Sequence, residues 1–292
     1  MAAQRAFPSY FERYQTHLAS LLEAIVPADD VHPETVHRAM RYTLMAPSKR
    51  VRGILSLLSA ELAGQEPRAE QLAAAIELVH AASLILDDLP SMDDAPVRRG
   101  RPACHVAFGE ATAILASFGL LSLGFATIAR AYPSPLASRL TMLLADAVGT
   151  SGLIGGQADD LLATQRAITF ERLERIHRLK TGALFSAAAV GGALTAGADD
   201  TTMSAIVAYA KNLGLAFQII DDLLDVEGTP EQTGKLTRQD VKKTTFVSFS
   251  GVDGARQLAR ELCETADGAL QPFGRRADRL RELSAFVADR CR

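Results

Sequence analysis

Apolar residues recur at helical spacing along nearly the whole chain. Leu72, Ile76, Val79 and Ser83 share one stripe of a segment that opens after Pro67 and closes at Pro90. That spacing predicts a helix over 68–89, about 33 Å long at 1.5 Å per residue. Ser134-Pro135 reads as a cap followed by a proline at the first helical position. Ile206, Ala210, Leu213, Phe217 and Leu224 predict a helix over 203–226, and Leu280, Leu283, Phe286 and Val287 predict one in the tail. Two stretches, 111–129 and 182–198, carry no charge. Both are near the lower length limit of a membrane span and are diluted by Ala, Gly, Ser and Thr. They read as helices apolar all round, at the centre of a large helical protein, with no stable membrane insertion. No alternating strand, hairpin turn between apolar runs, repeat or linker interrupts the pattern. The expectation is an all-α chain with one domain over 1–292.

Composition narrows the class. Of 292 residues, 48% are hydrophobic and 22% charged, a globular balance that excludes disordered and fibrous chains. Lys and Arg number 31 against 34 Asp and Glu, a net charge of −3, which disfavours a nucleic-acid binder. Phosphate groups would have to be held by local clusters of positive charge. Cys104, Cys263 and Cys291 are far apart and form no CxxC pair, as expected of reduced thiols in the cytoplasm. The N-terminal stretch MAAQRAFPSYFERYQ has no apolar run long enough for a signal peptide.

The candidate chemistry lies in two acidic clusters, each at the end of a strongly apolar helix. One is DDLPSMDDAPVRRGRP, with Asp87, Asp88, Asp93 and Asp94 followed by Arg98, Arg99 and Arg101. The other is QIIDDLLD, where Gln218, Asp221, Asp222 and Asp225 are three or four apart and share a helix face. Crowded carboxylates repel, and hard cations such as Mg²⁺ relieve that repulsion. One such cluster could be a solvated helix end; two, with arginines behind the first, point to metal ions bridging to a polyanion, most simply a diphosphate. More positive charge stands in APSKRVRG (Lys49, Arg50, Arg52), at Lys180-Thr181, at Lys235 and at Lys243. His80 lies two turns before Asp87 on the same face.

The segments ELVHAASLILDDLPSMDDAPVRRGRP and FQIIDDLLD, with PSKRVR, GGQADD, KTG and GK in the same order, resemble the trans-isoprenyl diphosphate synthases. Within that family the chain resembles most the bacterial geranylgeranyl diphosphate synthases of carotenoid pathways. The resemblance runs from about Lys49 to Phe246. It implies a bundle of antiparallel helices around a deep central cavity, usually a homodimer. It further implies that Asp87, Asp88 and Asp93, with Asp221, Asp222 and Asp225, hold up to three Mg²⁺ on an allylic diphosphate. Arg98, Lys180 and Lys235 would touch that diphosphate directly. Lys49, Arg52, His80 and Arg99 would bind isopentenyl diphosphate without metal. Thr181 and Gln218 would turn oxygen dipoles toward the developing carbocation. Gln157 and Asp160 match a motif beside the site, and Lys243 matches a basic position near a lid loop. The chain departs from the family's GGKR-x-RP or PGKR-x-RP in having Ser48 for Gly and Gly53 for Pro.

An allylic C–O bond ionises when the departing diphosphate is stabilised, so neutralisation by metal and Lys/Arg is the main catalytic lever. The fifth and fourth residues before Asp87 are Ala82 and Ser83, about 6–8 Å below the carboxylates along a helix. An aromatic there would floor the cavity early. Two small residues predict a deeper cavity and a C20 product, geranylgeranyl diphosphate, with farnesyl diphosphate as the shorter alternative. Phe108, Leu115 and Phe118 are further candidate walls. Other classes fit less. A helical di-iron protein would use Glu-x-x-His pairs, here Glu34/His37, Glu77/His80 and Glu174/His177, and would leave both Asp clusters idle. Class I terpene cyclases usually carry a different second motif, and a non-catalytic regulatory subunit typically loses one cluster.

Overall fold

A computed structural model describes residues 9–64, 68–164, 168–227 and 244–291. Four helices open the chain: α1 (Ser9–Ile25), α2 (Glu34–Leu44), α3 (Val51–Ala63) and α4 (Glu70–Asp87). After a two-strand hairpin come α5 (Cys104–Phe108), α6 (Glu110–Ala131), α7 (Ser134–Val148), α8 (Leu153–Ala163), α9 (Phe170–His177), α10 (Ala183–Thr195) and α11 (Asp200–Glu227). The described chain closes with α12 (Phe246–Ala269), α13 (Asp278–Ala288) and a last 3₁₀ turn, Asp289–Cys291.

The helix at the centre is α4. Leu72, Ala73, Ala74, Ala75, Ile76, Leu78, Val79, Ala81 and Ala82 are all buried, so no flank faces water over most of its length. It packs against α3, α6 and α10 and divides the apolar interior in two. The larger cluster joins α3, α10, α11, α12 and α13; the smaller joins α2, α4, α5 and α6. The stretch expected over 182–198 is α10, with 13 residues and Leu184, Phe185, Ala187, Ala188, Ala189 and Ala193 buried. Two other helices, α6 and α11, are long and apolar enough to cross a membrane, with mean hydropathy 1.8 and 1.3 over their most apolar stretches. Both pack within the bundle.

Three local features differ from the sequence reading. The cap of α7 is Pro133, so Ser134 is the first helical residue and Pro135 the second. That is tolerable because the second N–H of a helix also lacks an intrahelical acceptor. Strands do exist: β1 (Val97–Arg98) and β2 (Arg101–Pro102) pair antiparallel, Val97 opposite Pro102 and Arg98 opposite Arg101. Their turn, Arg99-Gly100, has φ of 54° and 76°, the positive values that primed two-residue hairpins require. Finally, the chain between α9 and α10 winds as a π-helix over Arg178–Gly182.

Candidate active site

Three helix ends and the π turn meet at one cavity of about 390 Å³. Its α4 wall is the stripe Glu77, His80, Ser83, Leu84 and Asp87; its α11 wall is Phe217, Gln218, Asp221, Leu224 and Asp225. Between them lie Lys49, Arg50 and Arg52 at the start of α3, Asp93, Arg98 and Arg99 from the hairpin loop, Asp160 on α8, and Lys180 and Thr181. The two acidic clusters therefore face the same space, although they are far apart in sequence.

Backbone bonds place the first cluster. Where α4 ends, Asp93 N–H donates to Asp87 O at 2.9 Å and Ala95 N–H to Asp88 O at 3.2 Å, folding the loop back over the helix end. Asp87 and Asp93 line the cavity, whereas Asp88 is 2% exposed and turned away from it. Its carboxylate receives the Arg98 fork, with Nε 2.9 Å from Oδ1 and Nη2 also on Oδ1. The second cluster repeats this arrangement. Asp221 and Asp225 line the cavity, and Asp222, 3% exposed, accepts from Gln218 Nε2 and from the Phe246 N–H, both at 3.0 Å. Of the six carboxylates expected to hold metal, four face the cavity. The second Asp of each pair instead fixes Arg98 or the start of α12.

Lys180 donates to Asp160 Oδ2 at 2.8 Å. Burial alone would lower its pKa, but Asp87, Asp160 and Asp93 together raise it, so the ammonium is permanently charged. The approach that allows this is close. A Cβ on Gly156 of α8 would sit 2.3 Å from the Lys180 backbone nitrogen, so only glycine lets α8 pack on the π turn. The same turn aims Thr181, whose hydroxyl donates to Gln218 Oε1 at 2.7 Å. Single-turn π segments commonly re-aim side chains at functional sites in this way. Burial raises the pKa of Asp87, the second effect being the opposing pull of Lys180.

A second group of cations lies toward α3. Arg50, at the cap of α3 with φ 50°, is buried and paired to Glu77 at 3.4 Å; its Nη2 also donates to Leu44 O. Ser48 Oγ accepts from Arg50 N–H at 3.3 Å, and Gly53 N–H donates to Glu77 Oε1 at 2.9 Å. Arg52 stacks on Phe185 at 4.7 Å and reaches His80 Nε2 at 3.3 Å. Burial and then the neighbouring Arg52 and Arg99 push the His80 pKa well below its usual value, so His80 is a neutral acceptor. Arg52 Nε and Arg99 Nη1 are buried without a hydrogen-bond partner among the described residues, donors that suit an anion. Lys49 is exposed overall, but its ammonium lies over the Phe286 ring at 5.3 Å. That local burial, with repulsion from Arg290, lowers its pKa to about 8.

Other expectations sort as follows. Ser83 lines the cavity; Ala82 packs in the smaller apolar cluster beside Ala113 and Ala116. Leu115 and Phe118 point outward, 56% and 58% exposed, and do not wall the cavity; Phe108 packs on Tyr42. Gln157 is buried on α8 but not in the cavity wall. Lys235 and Lys243 lie outside the described residues. The Glu-x-x-His pairs do not converge. Glu77 is bound to Arg50, Glu174 to Arg178, and His37 contacts Val31 O at the surface. Sequence reasoning missed Glu77 as the partner of the α3 cations. It also missed Arg290, whose position follows only from the folded path of the tail.

The donor set fits Mg²⁺. Asp87, Asp93, Asp221 and Asp225, four of the carboxylates that line the cavity, offer hard oxygens, and among the described residues no three His, Cys, Asp or Glu side chains close on one point. Magnesium is ordinarily held that way, by one or two carboxylates with phosphate oxygens completing the shell.

Comparison with known proteins agrees with this geometry. A geranylgeranyl diphosphate synthase of Cyanophora paradoxa is 42% identical over 266 residues, 89% of each chain. The structure of a geranyltransferase from Legionella pneumophila superposes with a TM-score of 0.86 at 32% identity, covering 97% of this chain and 96% of that one. A geranyltransferase from Helicobacter pylori, solved with magnesium and isoprenyl diphosphate, gives 0.81 at 28% identity over 98% and 95%. The polyprenyl synthetase family model matches residues 33–266, and the chain belongs to that family, as a trans-prenyltransferase of the short-chain prenyl diphosphate synthase type.

Proposed function

We propose that the protein condenses isopentenyl diphosphate with allylic diphosphates and releases the C20 product, geranylgeranyl diphosphate. The observation that carries this reading is the division of one cavity into a carboxylate region and a separate cation group. Asp87, Asp93, Asp221 and Asp225 would hold magnesium, which supplies positive charge to the departing diphosphate. Lys180 and Arg98 add fixed charge on the same side, and Lys49, Arg52 and Arg99 take the second diphosphate without metal. The allylic C–O bond breaks with its electron pair on the diphosphate oxygen. The double bond of isopentenyl diphosphate then attacks the cation, and the proton lost from the new chain passes to the released diphosphate. Leu84, Leu184 and Leu224 give that cation walls without a nucleophile. Neutral His80 accepts from Arg52 and so orients it rather than acting as a base.

The C20 length rests on Ser83, a small residue in the cavity wall four positions before Asp87. We also take two copies to pair through the outward face of α6, and the three thiols to suit a reducing cytoplasm. The deciding experiment incubates the protein with Mg²⁺, isopentenyl diphosphate and C5, C10 or C15 primers. A C20 product that needs Mg²⁺ is expected. Accumulation of C15 would move the assignment to farnesyl diphosphate synthesis, and no condensation at all would overturn it.

A further inference from the structure

The last turn of the described chain, Asp289–Cys291, carries Arg290 into the cavity wall. Its Nη2 lies 2.9 Å from Asp221 Oδ1. Its guanidinium also covers the ring of Phe217, 4.6 Å from the centroid and one helical turn before Asp221. Arg290 is therefore clamped along α11 by one carboxylate and one aromatic face. Everything else about its place is unfavourable. Nε and Nη1 are buried and have no hydrogen-bond partner among the described residues, a costly condition for charged donors. Lys49 and Arg52 are close enough that Arg290 helps to depress both of their pKa values.

A cation that, among the described residues, is held by one carboxylate, lacks partners for two N–H groups and faces two like charges is poised to exchange. A divalent ion on Asp221 would bring two more positive charges beside a guanidinium already 2.9 Å from that carboxylate, and like charges at that range repel. We propose that Arg290 is a further residue of this site: it neutralises Asp221 until metal arrives, must give way to it, and so sets the metal affinity of the α11 carboxylates. This rests on the reading of Asp221 as a metal-facing group. By reciprocity, metal on Asp221 loosens the end of the chain.

The test uses the full chain without substrate and counts free Mn²⁺ by electron paramagnetic resonance. Arg290→Leu keeps an apolar contact with Phe217 and removes the charge. It should bind Mn²⁺ about five- to 150-fold more tightly than the wild type, the ordinary span of a coupling between sites. Arg290→Lys should stay near the wild type, and the gain should vanish when Asp221→Asn is added. Mg²⁺ should also speed amide exchange over residues 286–291 of the wild type. If Arg290→Leu and wild type bind Mn²⁺ equally, or neither binds it, the proposal falls. A chain ending at Asp289 gives the same reading should Arg290→Leu fold poorly. Product formation by the wild type is scored separately, so failure of the Arg290 coupling is distinguishable from failure of the prenyltransferase reading.

Discussion

Single residues carry the chemistry, and Lys49 offers the sharpest test at that scale. Its pKa of about 8, lowered by local burial and then by Arg290, means that the free enzyme loses this charge within the working range. A diphosphate binds the ammonium, not the amine. As pH rises through 8, the protonated fraction falls, reaching about a tenth one unit above the pKa. The KM for isopentenyl diphosphate should therefore rise by up to about tenfold between pH 7 and 9, while the KM for the allylic substrate moves less. Lys49→Arg should flatten the profile, because a guanidinium stays charged throughout. An unchanged pH profile in Lys49→Arg would show that another group titrates. Spacing alone marked two acidic clusters, Asp87, Asp88, Asp93 and Asp94, then Asp221, Asp222 and Asp225, and it was the family resemblance that set Asp94 aside. What spacing could not separate was the first from the second Asp of each pair. Asp88 and Asp222 differ from their neighbours only in helix phase, and the fold turns them toward Arg98 and the Phe246 N–H. Nor could it assign the departures Ser48 and Gly53. The first accepts from the Arg50 N–H, and the second supplies an N–H to Glu77 that a proline lacks.

At the scale of elements, α4 decides what each of its faces can do. The stripe Glu77, His80, Ser83, Leu84 and Asp87 faces the cavity. Ala82 lies off that stripe, in the seam with α6, where Ser117 Oγ donates to Ala82 O at 2.9 Å. The two small residues before the acidic motif should respond differently to enlargement. Ser83→Phe stands in the cavity about 6 Å below Asp87 and should shift the product from C20 toward C15 with little loss of stability. Only its own bond to His80 O is removed. Ala82→Tyr must force α4 from α6, at about 1–3 kcal/mol, the usual cost of overpacking. Product analysis and thermal melts of both variants decide the matter. An Ala82→Tyr enzyme of normal stability making shorter chains, beside a Ser83→Phe enzyme that still makes C20, would reverse the assignment. The helices themselves were readable because their apolar stripes are long. The β1–β2 hairpin was not, since two-residue strands show no alternation, and the π turn leaves no periodic trace. Those two irregular pieces hold Arg98, Arg99, Lys180 and Thr181.

For the whole molecule, the uncharged stretch over 111–129 corrects an expectation: it reads as a helix at the centre of the protein, yet Leu115 and Phe118 are 56% and 58% exposed. The fold gives it two faces. Ala113, Ala116, Leu120, Gly124 and Ile128 are buried toward the bundle, and Gly124 lies against Val79 of α4. Ala111, Leu115, Phe118 and Ser122 lie on the opposite side, open to solvent, at the three- and four-residue spacing of one helix stripe. The buried face packs on α4 and α2 within the bundle. An outward stripe with Leu115 and Phe118 exposed and no charge between Ala111 and Ala129 calls for an apolar partner. A second copy supplies one without any further component, because a two-fold axis sets the same patch against itself. The pairing proposed above predicts that the wild type sediments as a dimer at micromolar concentration. Leu115→Glu, or better Leu115→Glu with Phe118→Glu, places like charges across the axis and should yield a monomer with normal helical content. Because these side chains point away from the cavity, a dimer that persists in the double variant would place the contact elsewhere. A wild type that is monomeric at every concentration would remove the pairing altogether.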